Sequence, residues 1–341
     1  MKVLSLVKHG NADEAFKIID QARPTISTNE VLIEVQCSGL NFADVVARRG
    51  RYPDAPPLPS VLGYDVAGHI IDKGSEVTHV DIGDRVTALT RFGGYAELAK
   101  TPAFGVQKIS EKVSFAEATA LSTQACTAYY CAIESVNLYP GQVVLIQAAA
   151  GGVGNILVQI AKWKGCKIYG TASTKKIDLL KQMGVDYPID YTQEDFEKLI
   201  MANGDVLDVV FDSIGGSKYK SAYKLLNKGG KMVNIGAAEQ MTSTNRMFGM
   251  LGALNTVRKF GFYNPIQLLM KSQSLIGVNM LRVADYTPDV FSKVLKEVIE
   301  LNEEGVIAPK IGKIFPFTEI GEAHKYLEER KSIGKVVVTW K

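Results

Sequence analysis

The sequence predicts an α/β protein of two domains, a barrel-like β domain joined to a doubly wound parallel sheet. Three observations carry this. The chain has 341 residues, more than the roughly 250–300 at which a single core stops growing. Residues 1–125 break into short β-rich runs separated by turn clusters. From Pro140 onward, β runs without polar alternation follow one another with amphipathic segments between them, as in a parallel sheet covered on both faces.

In the first part, VLIEVQCSG (31–39), VAGHII (66–71) and DRVTAL (84–89) are strand candidates, divided by RYPDAPPLPS, KGSE and RFGG. That spacing points to an all-β or barrel-like unit. A helix starts near Ser114, with Glu117 three residues on as its capping-box partner. The run QVVLIQA (142–148) then meets a glycine-rich turn, and NILVQIAKWKG reads as an amphipathic helix. KIYGTAS (167–173) is the next strand, STKKIDLLKQMG a helix, and YPIDY (187–191) an edge. VLDVVFDSIGG (206–216), GGKMVNIG (229–236) and SLIGVNM (274–280) are three further buried-strand candidates. Six such strands are enough for two mononucleotide-binding halves. The stretch 239–273, rich in Met, Phe and Leu, reads as a helix packing on the domain or on a second subunit, or else as a lid or membrane-surface contact. A helix over 289–302, an amphipathic segment over 318–330 and a closing strand GKVVVTW end the chain. The domain boundaries predicted are 1–125, 126–283 and 284–341, the last completing the first domain.

Composition narrows the function. Lys plus Arg (39) against Asp plus Glu (36) leaves a net charge of +3 without a basic block, a poor footprint for nucleic acid. The apolar run at the start is broken at Lys8, too short for a secretory signal. No stretch approaches the ~18 uninterrupted apolar residues of a membrane span. Cys37, Cys126, Cys131 and Cys166 form no CxxC pair, against both a disulfide framework and a thiolate zinc cage. A cytoplasmic protein is expected.

The strongest chemical signal is Ala149-x-Gly151-x-x-Gly154, set after a strand and opening a helix. Without side chains at Gly151 and Gly152, the backbone approaches a pyrophosphate, whose charge the N–H groups of the first helical turn, at Val153 among them, and the helix dipole hold. Gly154 lets the helix lie close to the strand. Such a turn also occurs as a plain strand–helix connection; six alternating strands favour a dinucleotide. A site for NAD places Asp or Glu about 20 residues past the glycines. Here Ser173 stands nineteen residues beyond Gly154, followed by Lys175 and Lys176. A hydroxyl and ammonium groups suit a 2′-phosphate, and cations at a helix start otherwise oppose its dipole. NADPH is the expected cofactor.

With these residues in hand, the chain resembles the medium-chain dehydrogenase/reductase family, in its zinc-free NADPH:quinone oxidoreductase type. The likeness runs along essentially the whole chain: SGLNFADVVARRGRYP (38–53), LPSVLGYDVAGHI (58–70), GDRV (83–86), AAAGGVG, GTAS, PIDY (188–191), DSIGG (212–216) and GKVVV (334–338) follow in family order. GLNFAD, GTAS, YPIDY and the long 239–273 segment are most similar to the vesicle amine transport protein 1 (VAT-1) group. The resemblance implies a GroES-like barrel with a Rossmann domain, a homodimer, and a small quinone or enone substrate. Carried over by position, it implies cofactor contacts at Asn41, Thr127, Ala149, Ser173, Tyr191, Ser213, Ile214, Gly236, Ala237, Asn279, Met280 and Lys335.

Zinc-dependent relatives carry Cys and His where this chain has Asn41 and Tyr64, and the third ligand position falls at about Thr123 or Gln124. Zinc needs three or more thiolate, imidazole or carboxylate ligands, so none is expected. His9, His69, His79 and His324 are scattered and read as surface or satisfied core histidines. Without a Lewis acid, hydride goes to an electron-poor acceptor. Tyr52, at the position where related enoyl reductases have a proton-donating tyrosine, is either that donor or a packed aromatic. Asn41 bonds either the nicotinamide ribose or the substrate carbonyl. Tyr64 reads as core and Asp44 as a structural hydrogen-bonder. The expected activity is hydride transfer from NADPH to a quinone or α,β-unsaturated carbonyl. The alternatives are a 2-enoyl thioester reductase and a non-enzymatic NADPH-binding protein.

Overall fold

The computed structural model describes residues 1–238 and 258–340. The strands run β1 (Lys2–Leu6), β2 (Phe16–Asp20), β3 (Glu30–Leu40), β4 (Ser60–Val61), β5 (Asp65–Lys73), β6 (Arg85–Leu89), β7 (Leu98–Pro102) and β8 (Val106–Lys108). They continue as β9 (Val143–Ile146), β10 (Lys167–Ala172), β11 (Tyr187–Asp190), β12 (Leu207–Asp212), β13 (Leu226–Asn234), β14 (Ser274–Gly277), β15 (Ile311–Pro316) and β16 (Lys335–Thr339). The chain divides into two compact units, Met1–Thr127 with Met280–Lys341, and Ala128–Asn279.

The first unit is built on a seven-stranded sheet ordered β15-β16-β3-β5-β6-β8, with β7 also paired to β3, and a three-stranded sheet β2-β1-β4. Alternate residues of the long strand β3 (Val31, Ile33, Val35) point into one core, where Leu4, Leu6, Val66, Ile70, Val86, Tyr95, Val336 and Val338 meet them. This period-two burial is what β-branched runs impose on a sheet. Ser114 caps the helix Phe115–Ala120: its Oγ accepts the Glu117 N–H at 3.2 Å while the Glu117 carboxylate accepts the Ser114 N–H at 3.0 Å.

The second unit is a six-stranded sheet ordered β11-β10-β9-β12-β13-β14, every pairing parallel. The first strand, β9, lies in the middle, so the chain winds outward to one edge and then crosses back to the other. Where that reversal falls, between β9 and β12, open sheets of this kind bind ligands beyond the carboxyl ends of the strands. Leu145, Tyr169, Ile189, Val210 and Met232 pack one face against Phe196, Ile200, Tyr219 and Ala222. The helix Gly152–Trp163 packs on β9 and β10 and buries Ile156, Leu157, Ile160 and Ala161.

One expectation is corrected, one is met only in part, and one strand went unread. The run SLIGVNM supplies only β14, and that strand is a half-exposed edge rather than a buried one; Met280 opens a helix, Met280–Tyr286, that no periodicity announced. Within 239–273, residues 239–257 lie outside the described ones. The described helix Pro265–Lys271 buries no residue, and Phe262, Ile266, Leu269 and Met270 are 72–78% exposed; the flanking Phe260 and Tyr263 pack on the unit, against Tyr219 and Tyr223. β15, paired parallel to β16, went unread because the glycine and lysine in IGKIFP break any alternation.

Because the Ser114–Glu117 box satisfies helical N–H groups that have no other partner, Ser114→Ala lowers stability by about 1 kcal/mol. The check is a downward shift of the urea midpoint at unchanged slope.

Candidate functional site

In the second unit the glycine turn has the geometry its sequence implies. β9 ends at Ile146, Ala148 takes the left-handed conformation (φ +52°), and the Ala149 N–H donates to the Thr171 carbonyl at 2.9 Å. Left-handed backbone at a non-glycine residue is uncommon and gathers at functional turns. A Cβ on Gly154 would stand 2.2 Å from the Ala148 carbonyl oxygen and 2.8 Å from the Ala149 Cα, so only glycine lets the helix lie this close. Gly151 precedes the helix and no side chain caps it. The helix therefore presents uncapped N–H groups and its positive dipole end at the carboxyl edge of the sheet.

Around that edge stand the other candidates. Ser173 follows β10, and the Lys176 N–H donates to the Ser173 carbonyl at 2.8 Å in the short turn Thr174–Lys176. Lys175 is exposed and Lys176 half-buried; burial lowers the Lys176 pKa, which an anionic partner would reverse. Tyr191, after β11, is exposed and its N–H donates to the Ala172 carbonyl at 3.1 Å. Ser213 and Ile214 follow β12, where the Ile214 and Gly215 N–H groups donate to Asp212 Oδ1 at 2.8 and 2.9 Å. Gly236 and Ala237 follow β13, and the exposed Asn279 follows β14. Two residues that sequence reasoning missed lie on the same edge. Gln147 Nε2, just past β9, and Asn234 Oδ1, ending β13, are buried without a hydrogen-bond partner among the described residues. Buried orphan polar atoms call for an explanation, and a polar ligand supplies one. Glycine cradle, uncapped helix and orphaned amides together fit a dinucleotide; Gln147 and Asn234 were invisible in sequence because an amide at a strand end carries no pattern.

The first unit holds the remaining candidates, Asn41, Thr127, Met280 and Lys335 among them. Thr127 is buried, its hydroxyl donating to the Thr123 carbonyl at 2.7 Å. Met280 is buried at the start of its helix. Lys335 is wholly buried: its ammonium pairs with the equally buried Asp65 carboxylate and donates to Asn41 Oδ1 at 3.0 Å. Asn41 Nδ2 donates to Asp65 Oδ2 at 2.7 Å, Gln124 Nε2 to Asn41 Oδ1 at 3.4 Å, and the Thr123 hydroxyl to Asp65 Oδ1. Thus two of the three positions where zinc ligands were sought, Asn41 and Thr123 or Gln124, join one network closed by an ammonium, and Tyr64 stands outside it. Among the described residues no three His, Cys, Asp or Glu side chains gather to hold a metal, and the donor set here, an amide, a phenol and an ion-paired carboxylate, does not fit zinc.

Asp44 accepts the Asn41 and Gly63 N–H groups at 2.8 and 3.2 Å. Burial, helped by the Asp65 charge, outweighs those bonds and Lys335 and pushes its pKa up to about 7. Tyr52 is half-buried and meets Tyr64 edge-on, ring centroids 6.4 Å apart; burial raises its pKa. The loop bearing it is tied by the Arg282–Asp54 ion pair. Tyr64 is core, 2% exposed, facing the Tyr52 ring. His324 corrects the reading of the histidines: it is fully buried, its Nε2 meets the Tyr95 hydroxyl at 3.5 Å, and its Nδ1 has no partner among the described residues. Arg48, packed nearby, and burial together keep it neutral.

Comparisons with known proteins agree with this geometry. Residues 27–131 match the model of the alcohol dehydrogenase GroES-like domain, and residues 183–338 that of zinc-binding dehydrogenases. The synaptic vesicle membrane protein VAT-1 homolog of Rattus norvegicus is 33% identical over 99% of this chain and 84% of its own length. The crystal structure of Escherichia coli quinone oxidoreductase complexed with NADPH superposes with a TM-score of 0.85 at 26% identity, over 99% of this chain and all of that one. CurK enoyl reductase gives 0.85 at 29% identity, over 99% and 98%.

The raised Asp44 pKa has a defined consequence for stability. The unfolded carboxyl ionises near 3.9 while the folded one keeps its proton to about 7, so the native state binds more protons in between. Stability therefore falls as pH rises across that window. Urea unfolding from pH 4.5 to about 7.5 is expected to show this fall in the wild type and a flatter profile in Asp44→Asn.

Proposed function

The chain belongs to the medium-chain dehydrogenase/reductase family, and on that premise we propose that it is a zinc-independent, NADPH-dependent reductase of quinones or α,β-unsaturated carbonyls. The observation that carries the reading is the glycine cradle at 148–154 with Ser173 and Lys176 on the neighbouring strand end, where an NAD site has a carboxylate. Its similarity to a quinone oxidoreductase complexed with NADPH supports the same cofactor. In this reading the N–H groups that open the helix Gly152–Trp163 hold the pyrophosphate, and Ser173 and Lys176 take the 2′-phosphate. Bound NADPH supplies the hydride. Tyr52 gives the proton that completes the two-electron reduction, its raised pKa keeping the phenol protonated at neutral pH. Asn41 donates a hydrogen bond to a reactant oxygen.

No Lewis acid takes part, because the Lys335 ammonium already neutralises Asp65, and an amide and a phenol stand at the other two positions. The acceptor must then be electron-poor in its own right, which is why quinones and enones are proposed rather than simple alcohols or ketones. The similarity to CurK enoyl reductase supports a narrower second reading, a 2-enoyl thioester acceptor; comparing a 2-enoyl thioester with 1,4-benzoquinone separates the two. A cytoplasmic homodimer belongs to the same proposal: among the described residues β14 is the last strand at one edge of the parallel sheet, where a second copy could pair.

Lys176→Glu is expected to weaken NADPH at least tenfold while NADH changes little, read by fluorescence titration; equal losses would remove the 2′-phosphate assignment. Tyr52→Phe is expected to lower kcat with a 2-alkenal at least tenfold, and an unchanged kcat would take the donor role from Tyr52.

A further inference from the structure

The network that closes around Lys335 contains more than a structural ion pair. In the order β16-β3-β5, Lys335 starts one outer strand and Asp65 the other, and their side chains meet across β3 at Gly39. Gly39 pairs with Val337 on one side and Asp65 on the other. A Cβ there would fall 2.3 Å from Lys335 Cε and 2.8 Å from both Lys335 Nζ and Asp65 Oδ2. The missing side chain is thus the space through which the ammonium reaches the carboxylate.

The pair dictates the orientation of Asn41. A carboxamide has one acceptor and two donor hydrogens. An ammonium can only donate and a carboxylate can only accept, so Asn41 Oδ1 must face Lys335 and Nδ2 must face Asp65, as found. Gln124 Nε2 adds a second donor to the same oxygen. One Nδ2 hydrogen is consumed by Asp65; the other has no partner among the described residues, and Asn41 is only partly buried. A turned amide would place two donors against each other at Lys335 and two acceptors at Asp65, which the buried charges forbid.

We propose that Lys335 is a positioning residue: clamped to Asp65 across Gly39, it locks the Asn41 amide so that one N–H stays available to an oxygen of the bound reactants. This rests on the reductase reading. The shared ligand chemistry is an oxygen acceptor, either a hydroxyl of the cofactor ribose or the carbonyl of the substrate. In this proposal Lys335 acts through Asn41 rather than by its own contact with either.

Lys335→Met alone leaves Asp65 charged and unpaired in the core, a change that can prevent folding. The test therefore uses Lys335→Met/Asp65→Asn, which removes both charges at nearly constant volume, with Asn41→Ala and the triple variant. For each, kcat with 1,4-benzoquinone, the NADPH Kd, and the Asn41 side-chain amide signal in ¹⁵N–¹H spectra (identified by its loss in Asn41→Ala) are measured. The expected result is an amide signal that moves toward that of a free carboxamide in the double variant, together with at least a tenfold loss. A loss in kcat at constant Kd assigns the N–H to the acceptor carbonyl; a rise in Kd assigns it to the ribose. The triple variant should be no worse than Asn41→Ala, since Lys335 acts only through Asn41. An unmoved amide signal overturns the proposal, as do losses that multiply in the triple variant, or wild-type kcat and Kd in a folded double variant. If the wild-type protein itself turns over none of the acceptors, the reductase reading falls instead, and the amide signal and Kd still decide the role of Lys335.

Discussion

The close seat of the helix Gly152–Trp163 against the end of β9 is the constraint on which the second unit depends. With Gly154 pressed to the Ala148 carbonyl, the helix axis meets the carboxyl edge of the sheet, and no described side chain caps its first N–H groups. Helix termini in this state are anion sites by construction. The left-handed Ala148 and the orphaned Gln147 and Asn234 amides gather at the same edge. These local costs share one rationale, a large polar ligand held mostly by backbone.

The first unit solves a different electrostatic problem. Zinc-dependent members of the family place a cation where substrate oxygen binds; here a covalently attached cation, the Lys335 ammonium, sits among Asp65, Asn41, Thr123 and Gln124. A buried charge pair gives little net stability, but it fixes the direction of every hydrogen bond around it. In the reading proposed above, orientation rather than Lewis acidity is what such a network contributes. Asp44, next to this network but outside the ion pair, is held near its protonated form chiefly by its own burial, with the Asp65 charge adding to it and Lys335 opposing it.

The fold class was legible because it rests on periodicity: the continuous apolar runs of β9, β10, β12 and β13 and the capping box at Ser114 are local signals. Irregular edges were not legible. β2 is largely exposed, β15 is interrupted by Gly312 and Lys313, and the helix at Met280–Tyr286 begins inside what reads as a strand. Of the site, the glycine turn, Ser173 and Lys176 could be found by spacing, and the structure gathers them on one sheet edge. Asp65, Thr123, Gln124 and Lys335 could not be joined from sequence, since their connection runs across three strands and depends on a missing Cβ at Gly39. His324 was misread because burial that leaves only its Nδ1 without a partner among the described residues leaves no trace in the chain.

The account stands on the binding of a phosphorylated dinucleotide, and calorimetric titration of the purified protein with NADPH and, separately, NADH tests it most directly. Saturable binding of one NADPH per chain, at least tenfold tighter than NADH, is the predicted result. Absence of saturable heat with either nucleotide, or a preference for NADH, would contradict it.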